Sequence, residues 1–447
     1  MNIPDTAPLF AWAYLEDSPS LQTVDEVLGA VPDEELLAAL KARRGHGRND
    51  YPVEVCWGVV LLTVALRHPT TEACLAELRR NPALRTRIGI LGEDAVPKAH
   101  NMSRFHKTLG EPEFLGLMAA AFGLQVGELA AAVPSLGVDV AGDSTALKAR
   151  RDRGAAPPDL PGPCGGRKEY REDDGTLVKV VEWYGYKLHL LVDVRHEVAL
   201  AHHVTGANED DAKTLPGVLD DALAALPPAR MRTLAYDKAA DGAPFHQALA
   251  DREVKPVVQM RRQWRGKPYR ELPGNTDRPV PICYDELGTV HCQACENGVP
   301  VYREMYFRGF EPERDTLKYS CPAIAHSFDC PHERACNAGK VYGLTVRAKC
   351  GTDRRRFPAI PRSTKKFERL YKGRTAVERT NARCKAFWGI DDGNIGGAAR
   401  FHANVGVVML VHLAFARVLA QTGRRDGVLG ITRLGPVQEA LRQAGRT

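Results

Sequence analysis

The residues with the clearest chemical pattern lie in the segment LYKGRTAVERTNARCK. Tyr371, Arg374, Glu378 and Lys385 follow one another with two, three and six residues between them. On an α-helix these four positions share one stripe within about 60° of arc, and apolar residues form a separate face. The pattern predicts a helix that packs on one side and presents a carboxylate flanked by cations on another.

An ordinary solvated charged face would also explain this stripe, but the surrounding composition argues against it. Residues 361–385 hold nine Lys and Arg residues and only two Asp and Glu residues. Solubility poorly explains a carboxylate among so many cations, whereas a metal ligand beside the phosphates of a nucleic acid explains it well. Glu378 is therefore predicted to bind a metal ion.

A metal ligand of this kind needs partners, and two aspartates each end an apolar, strand-like segment. Asp143 lies in VDVAGDST and Asp237 lies in TLAYDKAAD. Small alanine neighbours on the same strand face leave space for an ion. Each aspartate alone is more often a turn or cap residue. Together with Glu378 they form an oxygen ligand set suited to Mg²⁺ or Mn²⁺.

The middle carboxylate has rivals in the same part of the chain. Asp241 lies four residues after Asp237, and Asp210 and Asp211 open a predicted helix. A carboxylate at the start of a helix has an ordinary capping role. We favour Asp237 because it ends a strand whose sequence predicts burial.

The elements that must position these residues begin with a helical region. Residues 1–128 show helical apolar spacing, with Ser or Thr before two of the segments as candidate N-caps. Arginines in this region favour either a helix-turn-helix-like DNA reader or a plain helical bundle with solvated cations. These arginines are Arg79, Arg80, Arg85, Arg87 and Arg104. We predict an all-helical N-terminal domain over these residues and leave both interpretations of its arginines open.

After Pro134 the pattern changes to strands. Three strand-like segments follow closely, and then come a helix, a strand, a second helix and a fifth strand. Short gaps between the first strands favour antiparallel pairing, and the later strand–helix–strand units favour parallel pairing. The sequence predicts a mixed α/β sheet over residues 135–261, with a Pro/Gly-rich surface loop at residues 151–178.

Residues 262–365 hold turn signals, short β-like runs and most of the cysteines, which predicts an inserted β-rich subdomain. The segment RRQWRGKPYR opens it, with Trp264 next to Arg261 and Arg262. Aromatic and basic residues together suit an unstacked base and its backbone. The alternative is a basic surface loop in which Trp264 is half buried. A helix that opens near Lys366 then returns the chain to the sheet domain.

Six of the 11 cysteines crowd between residues 283 and 336. Cys292 and Cys295 have a zinc-like spacing, and three further cysteines could complete a tetrahedral set. The three are Cys321, Cys330 and Cys336, and His291, His326 and His332 are additional candidates. The alternative is a group of buried thiols in a small β subdomain. Disulfides are the weaker interpretation in a reducing compartment.

Charge and hydropathy bound the protein class. The net charge of +6 and the pI of about 8.7 permit a nucleic-acid partner without requiring one. The N-terminal segment has neither the positive end nor the apolar core of a signal peptide. The most apolar stretch, residues 405–419, contains a histidine and an arginine and is too short to span a bilayer. We expect a soluble, cytoplasmic protein with no membrane segment.

These segments together resemble the DDE insertion-sequence transposases. The Tyr-Arg-Glu-Lys pattern is similar to the signature of that family, with its spacing intact. AGDSTALKA, LAYDKAAD and GANEDDAKTLPGVL resemble its first-aspartate strand, its second-aspartate strand and the stretch after its third strand. Residues 50–110 resemble its helical N-terminal domain, which implies that the helical domain of residues 1–128 binds DNA ends. One departure is Ala239-Ala240, which stands where the family usually has an aromatic residue.

The resemblance implies an RNase H-like catalytic domain in two parts, residues 135–261 and 366–425, followed by a C-terminal tail at 426–447. Asp143, Asp237 and Glu378 would bind two Mg²⁺ or Mn²⁺ ions. One ion would activate water or a 3′-hydroxyl, and the other would stabilise the leaving oxygen. Tyr371, Arg374 and Lys385 would hold DNA phosphates.

The implied function is that of a DNA transposase that cleaves the terminal inverted repeats of its element and joins them to target DNA. A homodimer is expected because two ends must be paired. One alternative is a transposase-derived DNA-binding protein without catalysis, but such a protein need not keep an intact carboxylate set. A metal-dependent nuclease is the other alternative, and only the resemblance separates it from a transposase.

Overall fold

The structure is a computed structural model of the chain. It describes residues 20–446 except 47–49, 151–155, 172–175, 262–263, 297, 341–342 and 393–394. The described residues form two compact units. The first unit holds the described residues up to Val138, those of Asp143–Arg230 and those from Ala376 onward, and the second holds Asp139–Gly142 and the described residues of Met231–Thr375.

The helices and strands are numbered here along the described part of the chain. The helices are α1 (Leu21–Gly29), α2 (Glu34–Arg44), α3 (Val53–Ala65), α4 (Thr71–Arg80), α5 (Pro82–Arg87), α6 (Ala99–Leu109), α7 (Pro112–Ala132), α8 (Asp211–Ala225), α9 (Ala243–Ala250), α10 (Pro322–His326), α11 (Glu333–Asn337), α12 (Lys365–Lys372), α13 (Thr375–Trp388), α14 (Ala398–Gln421) and α15 (Gly435–Gln443). The strands are β1 (Asp139–Lys148), β2 (Cys164–Arg171), β3 (Leu177–Asp193), β4 (Ala199–Gly206), β5 (Thr233–Tyr236), β6 (Lys255–Val258), β7 (Arg270–Glu271), β8 (Ile282–Tyr284), β9 (Val290–Glu296), β10 (Val299–Glu304), β11 (Tyr306–Glu311), β12 (Thr316–Ser320) and β13 (Thr345–Lys349).

The first unit opens with helices, as the apolar spacing predicts. Thr70 caps α4, because its side chain accepts a hydrogen bond from the backbone N–H of Ala73. Two of the predicted helical segments are each divided in two. Pro32 separates α1 from α2, and Pro82 begins α5 directly after α4. Proline lacks the N–H that a continuing helix needs and favours a first helical position.

Helix α14 forms the core of the first unit. It packs against α1, α3, α6 and α7, and its side chains are buried along nearly its whole length. By length and composition alone, helices α7 and α14 are both long and apolar enough to cross a membrane. The sequence-based expectation of no membrane segment considered only residues 405–419, a stretch that is too short to do so. Within α14, 83% of the apolar window is buried inside the protein, as in the core helix of a globular unit.

The strands of the first unit centre on β3. Its first half pairs antiparallel with β2 and its second half pairs antiparallel with β4, as predicted for the early strands. Strand β2 was not predicted, because the sequence indicated a surface loop over residues 151–178. Its side chains Arg167, Lys168 and Glu169 are all exposed, so the alternation that marks a half-buried strand is missing. Residues 151–155 and 172–175 of the predicted loop lie outside the described residues.

The second unit contains the parallel strands. Residues Asp139–Ala141 of β1 pair parallel with β5, and β5 pairs parallel with β6. Helix α9 connects β5 to β6, so the predicted strand–helix–strand arrangement is confirmed. Helix α12 packs on β5 and β6. The small core between them is formed by Ala235, Val257, Ile360 and Phe367.

The described residues between β6 and α12 are β-rich, as predicted for residues 262–365. Antiparallel strands in the order β10-β9-β8-β7 form one sheet, and β11-β12-β13 form another. Val290, Leu317, Val346 and Phe357 are fully buried in one shared core. In the first unit, α15 contacts α1 and α14, so part of the segment predicted as a C-terminal tail is a packed helix.

Candidate active site

Glu378 lies on the exposed side of α13, in its first turn. The opposite side of the helix is buried through Val377, Cys384 and Trp388, as the separate apolar face predicted. The prediction that all four residues share one helix is wrong for Tyr371. Tyr371 belongs to α12, because the helix is interrupted between Lys372 and Thr375. Gly373 lies in this gap, and glycine destabilises a helix. The stripe predicted from the sequence assumed one unbroken helix, so it did not include this break.

Helix α13 lies beside β1 in the first unit. Lys385 Nζ donates a hydrogen bond to the carbonyl of Ala146. The backbone N of Lys148 lies 3.5 Å from Asp391 Oδ2, just after the helix. Asp391 Oδ2 also lies 3.6 Å from Lys385 Nζ, so both contacts meet near the carboxyl end of β1.

Asp143 is half buried in β1, and a polar network surrounds the next residue. Ser144 Oγ donates to Asp211 Oδ2 at 2.7 Å, and Lys187 Nζ donates to Asp211 Oδ1 at 3.0 Å. Burial lowers the pKa of His189 to about 4, although its Nδ1 lies 3.7 Å from the same carboxylate. Asp211 is thus engaged by a hydroxyl and an ammonium group. The sequence contained no signal for this pairing.

Asp210 has the capping role that its position predicts. Its Oδ1 accepts a hydrogen bond from Ala212 N at 2.8 Å, at the start of α8. The other rival, Asp241, is fully buried in the second unit and accepts hydrogen bonds on both of its oxygens. With both oxygens engaged, Asp241 does not resemble an open metal site.

In the second unit, Asp237 directly follows β5, whose four residues are all buried. It is half buried, and its Oδ1 accepts a hydrogen bond from Lys238 N at 2.6 Å, which caps a short 3-10 turn. The side chain therefore has the cap role that sequence reasoning weighed as an alternative. Metal binding by Asp237 stays a prediction.

Tyr371 and Arg374 lie near the end of the second unit. The ring of Tyr371 stacks on Phe367, with centroids 5.8 Å apart and planes 7° from parallel. The Arg374 guanidinium lies 6.0 Å from the centroid of the Tyr371 ring. Both side chains are half buried. The phosphate contacts expected of these two residues stay predictions.

Trp264 is half buried and lies among cations. The guanidinium of Arg270 lies 4.2 Å from its ring centroid, and that of Arg356 lies 5.1 Å away. The placement matches the half-buried alternative for this loop, and contact with a base stays a prediction. Arg261 donates its backbone N–H to Asp241 Oδ2 at 2.9 Å. Arg262 lies outside the described residues.

The cysteines of the second unit differ in burial, and strand geometry explains the difference between Cys292 and Cys295. Cys292 is buried and Cys295 is exposed, because residues three apart on β9 face opposite sides of the sheet. Four thiols line one small cavity, those of Cys292, Cys321, Cys330 and Cys336. Burial raises the pKa of Cys292 to about 12. Among the residues that the structure describes, no group of three or more His, Cys, Asp or Glu side chains is arranged to hold a metal ion.

Comparison with known proteins identifies related families. The profile of a family described as "Transposase DDE domain" matches residues 136–414, and that of "Transposase domain (DUF772)" matches residues 14–108. No curated protein matches the sequence. One similar solved structure is described as the cryo-EM structure of a piggyBac transposase synaptic complex with hairpin DNA. It has a TM-score of 0.36 and 11% sequence identity, over 96% of this chain and 80% of that chain.

The first match spans more than half of the chain and includes the segments that contain Asp143, Asp237 and Glu378. The second match covers most of the N-terminal helices. Both families are transposase families, as the sequence resemblance predicts. The chain therefore belongs to the DDE-type insertion-sequence transposases.

Proposed function

We propose that this transposase cleaves the ends of its element and joins them to target DNA by two-metal-ion phosphoryl transfer. The observation that carries the proposal is the contact of the Glu378 helix with the Asp143 strand. Lys385 of α13 donates to the Ala146 carbonyl of β1, and Asp391 accepts from Lys148 N of the same strand. This contact supports a shared role for Asp143 and Glu378, and we assign Asp237 as the third carboxylate.

The chemistry of the three side chains fits Mg²⁺ or Mn²⁺. All three are carboxylates, which are the hard oxygen ligands that these ions prefer. Glu378 is exposed, and Asp237 is half buried directly after β5. Asp143 is half buried in the middle of β1 and not at the strand end that the sequence predicted. All three carboxylates are thus at least partly open to solvent. When bound, two divalent ions supply an activated oxygen nucleophile and neutralise charge on the leaving oxygen.

Cations of this chain would hold the DNA. Helix α12 buries Phe367 and exposes four basic side chains on its other faces. These are Lys365, Lys366, Arg369 and Lys372. We propose that this basic face binds backbone phosphates, which attract Lys and Arg without regard to sequence. Arg374 and Tyr371 follow directly and would extend the same contact.

Three further features belong to the proposal. The catalytic fold would be RNase H-like, which the antiparallel strands β3 and β4 followed by the parallel strands β5 and β6 support. The N-terminal helices would bind the terminal inverted repeats, and a homodimer would pair two ends. The protein would act in the cytoplasm, in association with DNA.

The test compares Glu378→Gln with wild-type protein on a duplex that carries the flanks of the coding sequence. The substitution keeps the shape of the side chain and removes one negative charge. Cleavage with Mg²⁺ or Mn²⁺ should fall by about two orders of magnitude or more, while the gel-shift affinity stays within roughly threefold. Glu368→Gln is the matched control, because Glu368 is an exposed carboxylate in the same basic segment.

Each alternative function has its own outcome in this assay. Wild-type protein that binds the duplex but never cuts it with either metal would be a transposase-derived DNA-binding protein. Cutting without joining of the cut end to a second duplex would indicate a nuclease. If Glu378→Gln cuts as fast as wild type, Glu378 is not a catalytic residue.

A further inference from the structure

Asp241 lies four residues after Asp237, at the other end of one compact turn. Asp237 Oδ1 accepts from Lys238 N at 2.6 Å, and the Asp237 carbonyl accepts from Ala240 N at 3.0 Å. The backbone N of Asp241 donates to the Lys238 carbonyl at 3.2 Å. Because the turn is held by its own hydrogen bonds, whatever fixes Asp241 also limits the movement of Asp237.

The carboxylate of Asp241 is fully buried and accepts from three separate parts of the chain. His246 Nε2, on α9, lies 2.9 Å from Oδ1. Arg261 N, just after β6, lies 2.9 Å from Oδ2. Arg355 Nε lies 2.8 Å from Oδ2, and the Arg362 guanidinium forms an ion pair at 3.6 Å with Oδ1. With both oxygens occupied, the carboxylate is poorly placed to bind a metal ion.

Three of these partners, Arg261, Arg355 and Arg362, lie where the chain enters and leaves the β strands of the insertion. We call two segments together the neck. They are residues 258–261, where the chain enters the insertion, and residues 355–362, where the chain leaves it. The two segments are also joined directly. Arg355 Nη2 donates to the Arg261 carbonyl at 2.6 Å, and Arg362 Nε donates to the Val258 carbonyl at 2.8 Å. Asp241 therefore joins both sides of the neck to the turn that ends in Asp237.

The network depends on the charge of this carboxylate. Burial alone would raise the pKa of Asp241, but the hydrogen bonds from His246, Arg261 and Arg355 and the charge of Arg362 hold it below its usual value. Burial lowers the pKa of His246 and so favours the neutral imidazole. Replacing the carboxylate by a neutral amide would leave two guanidiniums of the neck without their anion.

We propose that Asp241 is a positioning residue that orients Asp237 by fixing its turn to the neck of the insertion. The inference rests on the proposed function, which assigns Asp237 to the metal site. Substitution of a side chain that orients a metal ligand without touching the ion commonly weakens metal binding by roughly 10- to 100-fold. The same coupling would make the geometry of Asp237 sensitive to movement of the insertion when DNA binds.

The first test measures Mn²⁺ binding to the full chain by titration calorimetry, without DNA. Asp241→Asn should bind Mn²⁺ about 10-fold more weakly than wild type. Glu311→Gln is the matched control, because it breaks the ion pair of Glu311 with Arg347, at 2.8 Å, inside the insertion and outside the neck. The control should keep the wild-type affinity. Unchanged Mn²⁺ affinity in folded Asp241→Asn would overturn the proposal.

The second test separates this inference from the proposed function. Hydrogen exchange should speed up by about 10-fold at the amides of Lys238, Ala240 and Arg261 in Asp241→Asn, because local opening becomes easier. If wild-type protein binds no Mn²⁺ but the exchange changes as expected, the proposed function fails and the structural link stands. If exchange at these amides does not change, the positioning role is wrong. If Asp241→Asn fails to fold, the milder variant Arg355→Lys takes its place. It should speed up hydrogen exchange at the same three amides.

Discussion

Arg379 Nε lies 2.6 Å from Glu197 Oε1, which ties the helix that carries Glu378 to the turn between β3 and β4. Arg383 pairs with the other oxygen of the same carboxylate, and Thr380 Oγ1 donates to the Glu197 carbonyl. These three residues lie roughly 100–200° around the helix from Glu378. The contacts with Glu197 therefore fix the rotation of α13 and, with it, the direction in which Glu378 points.

Glu197→Gln should lower the free energy of unfolding by about 2 kcal/mol, because it removes the anion from a nearly buried ion pair. The loss stays below that of a fully buried pair, since the Arg379 side chain is 50% exposed and water replaces part of the interaction. Urea unfolding measures the effect. Glu439→Gln is the control, because its ion pair with Arg442 is exposed. Equal losses in the two variants would contradict the assigned role of Glu197.

The basic face of α12 should contribute to DNA affinity through charge alone. Replacing both Lys366 and Arg369 by alanine should reduce the slope of log affinity against log salt by about two units. Both side chains are exposed, so the melting temperature should not change. Gel shifts at several salt concentrations give the slope. An unchanged slope would mean that this face does not contact phosphates.

The cysteines of the insertion are expected to act as buried thiols. Purified protein should carry far less than one zinc per chain, and Cys295→Ser should be neutral because Cys295 is exposed. Cys292→Ser should cost about 1–2 kcal/mol, since a hydroxyl replaces a buried thiol. Metal analysis and thermal unfolding check both statements. Stoichiometric zinc that Cys321→Ser releases would instead support the zinc site considered from the sequence.

The first unit should lose stability in acid because of His412. This histidine is buried in α14, its Nε2 accepts from Ala199 N at 3.1 Å, and burial lowers its pKa to about 4. A lowered pKa in the folded state means that the unfolded state binds the proton more tightly. Stability is therefore lost as the pH falls below about 6.5 and stops falling near the folded pKa.

Between pH 7.5 and pH 5 the contribution of His412 should amount to about 2 kcal/mol. His412→Gln keeps an acceptor for Ala199 N and should reduce the acid-induced loss by that amount. The exposed residue His100 provides the control, and His100→Gln should leave the pH dependence unchanged. Denaturant titrations at the two pH values give the comparison, and equal pH dependence in wild type and His412→Gln would show that His412 is not responsible.

Local sequence patterns predicted the strands and the helix segment that carry the candidate site residues. The buried strands around Asp143 and Asp237 were visible as apolar runs, and the order of strands and helices after β1 was predicted except for β2. The Tyr-Arg-Glu-Lys spacing identified the helix segment around Glu378. The interruption after Lys372 was missed, because a wheel calculation assumes an unbroken helix.

Contacts between distant residues could not be predicted. Glu197 precedes Arg379 by 182 residues, and nothing in its own segment marks it as the partner of two arginines. Phosphate binding by Lys385 stays a prediction, but the contact of its ammonium group with the carbonyl of Ala146 was not visible in the sequence. Chemical type limits what a side chain can bind, but only the fold determines which partner lies within reach.

The core helix α14 is translated long after the helices that it covers. Helices α1, α3, α6 and α7 leave the ribosome first, and their apolar faces lack this packing partner until α14 has emerged. At roughly 5–20 residues per second, that delay is on the order of tens of seconds. During this time the apolar faces that α14 later covers lack that packing partner. The core of the first unit therefore cannot be completed until the carboxy-terminal segment has been synthesised.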